Sequence, residues 1–88
     1  MKPLNYAMLK YFTTVEDACV DDVMDALRAD YGHFKAFERN SMISAIMTAE
    51  ANGLLEETRF EMCKDAGLKV YYCAPEEGAA TINYYIKD

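Results

Sequence analysis

The hydrophobic rhythm of this chain changes once, just past Gly53, and that change limits what the chain can fold into. Before Gly53 the apolar residues recur at helical spacing, three and four apart. After Leu54-Leu55 they alternate, from Glu56 to Cys73, as they do along half-buried strands. A helical portion followed by a hairpin fits within 88 residues as one domain, spanning 1–88, and leaves no room for a second.

The first helix reads from about Pro3 to Phe12. Leu4, Ala7, Met8 and Tyr11 form one apolar stripe, and Pro3 suits a first helical position because its missing N–H has no partner there. Thr13 to Asp17 is a connection. Ala18-Cys19-Val20 is expected as a three-residue strand, because Asp21 follows as a good N-cap for a second helix over about Asp22 to Tyr31. Asp22 and Asp25 suit the positive end of that helix, and Gly32 its end. His33 to Arg39 forms a linker that Phe34 and Phe37 pin to the core. The third helix starts near Asn40 or Ser41 and ends at Asn52-Gly53. Met42, Ile43, Ile46, Met47 and Ala49 gather on its inner side, and Ser41, Ser44, Ala45, Thr48 and Asn52 on its outer side.

Asp65-Ala66-Gly67 reads as a three-residue hairpin loop. With that loop Lys64 pairs with Leu68, Met62 with Val70 and Phe60 with Tyr72. Arg59, Glu61, Cys63, Lys69, Tyr71 and Cys73 take the other face, and Cys63 and Cys73 are not opposite one another. Beyond Pro75, the spacing of Ala79, Ile82 and Ile86 predicts a helix. The run Thr81-Ile82-Asn83-Tyr84-Tyr85-Ile86 has strong strand propensity, so a strand over 76–87 stays open.

The order of helix, short strand, helix, helix, hairpin and helix is that of a winged helix: an α+β, mostly helical class with a three-helix core, a two-stranded wing and a C-terminal helix. Two stretches carry a closer likeness. Ile43-Ser44-Ala45-Ile46-Met47-Thr48-Ala49-Glu50-Ala51-Asn52-Gly53-Leu54-Leu55-Glu56 resembles the end of a recognition helix running into a wing. Tyr71-Tyr72-Cys73-Ala74-Pro75-Glu76-Glu77-Gly78 resembles the passage from wing to last helix in MarR- and PadR-type transcriptional regulators. Ala74 stands where those families carry a threonine, and the connection between the second and third helices is longer than their tight turn.

The resemblance implies double-stranded DNA as the partner, with the third helix, about 40–52, in the major groove and the 56–73 hairpin as wing. Asn40, Ser41, Ser44 and Thr48, with Asn52 at the margin, would face the bases. Lys35, Arg39, Arg59, Lys64 and Lys69 would meet phosphates. Phe12, Tyr71, Tyr84 and Tyr85 pack into the core or, as the alternative, form an aromatic patch at a homodimer interface through the terminal helices, which the resemblance implies. Composition pulls the other way. The formal net charge is −6, whereas DNA-binding domains carry a basic face. Residues 35–69 hold five basic and six acidic side chains and are the least negative part of the chain. A winged helix that meets another protein and leaves DNA alone is the alternative.

No spacing points to an enzyme. There is no phosphate loop, no paired-carboxylate motif and no metal-ligand pattern, and His33 is the only histidine. No cofactor and no metal are expected. The acidic run through Glu16, Asp17, Asp21, Asp22, Asp25 and Asp30 reads as a solvated helix face, with repulsion of DNA from that side or contact with a basic partner as the alternative. Cys19, Cys63 and Cys73 match no zinc or redox spacing and are expected as reduced thiols in the cytoplasm. Neither a secretory signal nor an apolar run of membrane-spanning length is read from the sequence.

Overall fold

The computed structural model describes residues 1–65 and 67–87. The described residues form α1 (Leu4–Phe12), α2 (Val20–Tyr31), α3 (Arg39–Ala51), β1 (Glu56–Cys63), β2 (Gly67–Cys73) and α4 (Glu76–Tyr85). Among them are four helices and one antiparallel hairpin, an α+β arrangement in the order the rhythm predicts. None of these helices is long and apolar enough to cross a membrane.

The core is built where three helical stripes meet. Leu4, Met8 and Phe12 of α1 are spaced four apart and point one way. Val23, Met24 and Tyr31 of α2 and Met42, Ile46 and Ala49 of α3 close on them, and Leu55 completes the cluster from the start of the hairpin. Each large apolar side chain buried this way contributes about 1.5–3 kcal/mol. Phe37 packs against this cluster and pins the α2–α3 connection, whereas Phe34 is exposed and meets the rings of Tyr31 and His33 edge-on.

Helix starts differ from expectation for identifiable reasons. Pro3 caps α1 from outside instead of occupying its first turn. Cys19, not Asp21, is the N-cap of α2, because Asp22 three residues on reaches back and accepts a hydrogen bond from the Cys19 N–H at 3.1 Å. Val20 is therefore helical, and the predicted strand shrinks to Ala18, which exchanges two 2.9 Å backbone hydrogen bonds with Tyr72 of β2. Glu38 caps α3, accepting from the Ser41 N–H at 2.6 Å and the Ser41 hydroxyl at 2.7 Å, so Arg39 lies inside the helix. The helix ends as expected, with Asn52 as C-cap and Gly53 in the left-handed region at φ 80°. Its inner arc is narrower than predicted. Met42, Ile46 and Ala49 set the helix phase and are buried, Ala45 turns partly inward, and Met47 is left outside.

The hairpin has the predicted faces and a different register. Met62 pairs with Leu68, Phe60 with Val70 and Cys63 with Gly67, a shift of two residues from expectation. The cause lies at both ends. Gly67, at φ 71°, opens β2 instead of closing the loop, and a bulge between Glu57 and Arg59 takes up the slack so that Tyr72 still meets Glu57. Side chains alternate with a period of two, so the slip leaves every residue on its predicted face. Cys63 and Cys73 face Gly67 and Glu56, not each other. Ala66, in the expected loop, lies outside the described residues, as does Asp88.

Residues 76–85 are helical, which resolves the open choice for the C-terminal segment. Pro75 caps the helix, with Glu76 and Glu77 in its first turn, and Ile82 and Ile86, four apart, are buried. Gly78 is what lets α4 dock. A Cβ there would overlap the carbonyl oxygen of Leu54. The residue that weakened the helical reading is thus the point of closest approach between helix and chain.

Candidate functional site

The residues expected at a DNA interface fall into two groups. Asn40, Ser41, Ser44 and Thr48 are exposed along α3, as is Asn52 beyond its end, although Ser41 already serves Glu38. The cations are less free. Arg39 lies 3.3 Å from Asp21 at the start of α2. Arg59 lies 3.0 Å from Asp17 and 3.3 Å from Glu61, and its guanidinium sits 3.8 Å above the Tyr71 ring. Lys35 and Lys64 are exposed on the α2–α3 connection and at the end of the hairpin, and Lys69 is half-buried on β2. Both arginines placed to meet phosphate therefore hold carboxylates of their own chain.

The Arg59 cluster orients the hairpin. The Thr58 hydroxyl lies 3.3 Å from both the Asp17 carboxylate and the Tyr71 carbonyl and shares its one proton between them, so the bulge, β2 and the α1–α2 connection meet at one point. Hydrogen bonding from Arg59 holds the Asp17 carboxyl below its ordinary range. This contribution is fully present above the ordinary carboxylate value and is lost as pH falls through the lowered one. Hydrogen bonding toward Glu61, ahead of desolvation, pushes the Tyr71 hydroxyl up to about 12. This contribution is fully present below the ordinary tyrosine value and is lost as pH rises through the raised one. Glu61→Gln is expected to bring Tyr71 back toward the ordinary tyrosine range. Tyr71 is one of seven tyrosines, so the difference in tyrosinate titration made by Tyr71→Phe, measured with and without Glu61→Gln, isolates it, and an unchanged difference curve would show that Glu61 is not the cause.

The opposite face of the hairpin is apolar and turns toward α3. Between them runs a groove of about 300 Å³, walled by Ile43, Ile46 and Met47 of α3 and by Leu68, Val70 and Tyr72 of β2. Cys19 and Val20 also line it, and the Asp21–Arg39 pair lies at its border. The apolar surface continues past the groove. Met47 is 55% exposed, Leu68 51%, Phe60 64% and Met62 77%. Large apolar side chains gathered on one exposed face mark an interaction site.

Other candidates are placed elsewhere. Phe12 is in the core and Tyr71 lies under Arg59, so neither joins an aromatic patch. Tyr84 and Tyr85 remain exposed and contact each other edge-on with ring centroids 4.9 Å apart. Cys19 is buried, and desolvation raises both its thiol and that of Cys73, which keeps them protonated. Among the described residues, no cluster of His, Cys, Asp and Glu could hold a metal ion.

No protein-family model, curated protein or solved structure matches this chain.

Reading the sequence identified the polar outer face of α3 and missed the groove. The signal for it was present. Phe60, Met62, Leu68 and Val70 alternate with polar residues and need something to face, and the core described above does not cover them. Asp17 as the partner of Arg59 had no signal, since the two are 42 positions apart.

Proposed function

We propose that this chain is a winged helix that docks another protein through the surface between α3 and the hairpin. The apolar groove carries this reading. Its walls supply the kind of desolvated pocket into which interface anchors insert, bordered by charged side chains. The electrostatics agree with it. A net charge of −6 repels a polyanion, and the pairing of Arg39 with Asp21 and of Arg59 with Asp17 would have to be broken before either met a phosphate.

A second reading, a DNA-binding regulator, is favoured by one observation. The exposed row Asn40, Ser44 and Thr48 offers side chains that hydrogen-bond to base edges.

Two measurements separate the readings. A photo-crosslinking residue at position 68 is expected to capture a specific partner, and Met47→Asp to abolish that capture while Ser44→Glu spares it. Fluorescence anisotropy with mixed-sequence duplex DNA at low salt is expected to show no binding. A salt-sensitive DNA complex that Ser44→Glu or Arg39→Glu destroys, with no crosslink at position 68, would replace the first reading with the second.

A further inference from the structure

The outer edge of β1 is a second unpartnered surface, separate from the groove between α3 and β2. In the sheet β1 pairs with β2 alone, and its residues are exposed from Glu56 to Met62. An open strand edge is a template for another strand. The sequence along this edge is self-complementary about Phe60. We propose that a second copy of this chain pairs antiparallel with β1 across a two-fold axis at Phe60, joining two hairpins into one four-stranded sheet.

Charge sets the register. With the axis at Phe60, Arg59 lies opposite the partner's Glu61, and the symmetric pair repeats on the other side. Within one chain Arg59 already lies between Asp17 and Glu61, so the partner's Glu61 adds a third carboxylate to the surroundings of each Arg59. A slip of two residues in one direction sets Arg59 against the partner's Arg59. A slip in the other sets Glu61 against the partner's Glu61. Like charges directly opposite one another in a sheet are destabilising. Registers centred nearer Glu56 run into the bulge between Glu57 and Arg59.

The other face supplies the apolar contact. Phe60 meets the partner's Phe60, an aromatic cross-strand pair, and Met62 lies beside it. These are the two most exposed of the four apolar side chains on this surface, and they are the two that lie on β1. The paired segment is short, so association is weak and reversible. The exposure of Phe60 also means that its replacement leaves the fold of one chain intact.

Sedimentation velocity of the full chain, from micromolar to near-millimolar concentration, is expected to show a monomer–dimer equilibrium. Phe60→Asp should weaken it at least about tenfold by setting two carboxylates face to face, with the melting temperature unchanged. Glu61→Arg should weaken it similarly by setting two cations face to face. As a check that does not depend on charge, Phe60→Cys in a Cys63→Ser, Cys73→Ser background should form an interchain disulfide on mild oxidation, whereas Met62→Cys in that background should not. A monomer at every concentration, or a dimer that Phe60→Asp leaves intact and Phe60→Cys fails to crosslink, overturns the proposal.

Discussion

Gly78→Ala is expected to destabilise the protein, although the same exchange inside an ordinary helix stabilises. Alanine gains roughly 0.5–1 kcal/mol over glycine in a helix. Against this stands the overlap of the new methyl group with the Leu54 carbonyl oxygen, which is backbone and cannot swing aside as a side chain would. Overpacking of this kind costs about 1–3 kcal/mol and sometimes more. A net loss of about 1–2 kcal/mol corresponds to a fall in melting temperature of about 5–15 °C for a domain of this size. The burial of Ile82 depends on the same close approach, so hydrogen exchange should rise first in α4. Differential scanning calorimetry of the variant decides it: a melting temperature equal to or above that of the parent would show that α4 does not rest on Leu54.

Phe12→Ala carries the larger effect. Phe12 closes the α1 stripe and is 1% exposed, in the cluster that joins all three core helices. Removing a buried phenylalanine ring costs about 3–5 kcal/mol, because the cavity adds to the lost transfer energy. An 88-residue domain has a total stability of about 4–13 kcal/mol on general scaling. The variant should therefore keep at most about 10 kcal/mol, and none if the parent lies at the lower end of that range, so its midpoint should fall well below the parent's in denaturant titrations followed by circular dichroism. A loss below about 1 kcal/mol, within the range of a surface substitution, would mean that Phe12 is not the keystone of the cluster.

These two positions show how differently parts of the fold could be read from sequence. Phe12 follows from spacing alone, since residues 4, 8 and 12 share one helix face whatever the tertiary context. Gly78 does not. Its value lies in a contact with a residue 24 positions away, and within its own helix it reads as a defect. The α2 cap went the same way. Asp21 has the better side chain, but Asp22 wins by reaching back to Cys19, and Asp21 is freed to hold Arg39. The hairpin register was misjudged for a related reason. A shift of two residues preserves the alternation, so the pattern that revealed the strands is blind to it. What the alternation does encode is which side chains share a face, and this was enough to show an apolar face on the hairpin. The exposed polar row of α3 was equally legible. The groove beside it was not, because it depends on how far the hairpin folds back over Ile43 and Met47.

The single bridge between Ala18 and Tyr72 bears on how far assembly could go. By occupying the far side of β2 at Tyr72, it blocks strand addition at the root of that edge, while the edge of β1 is open along its length. Union of two β1 edges about a two-fold axis would use up that edge on both participants at once, so addition through β1 ends at two subunits.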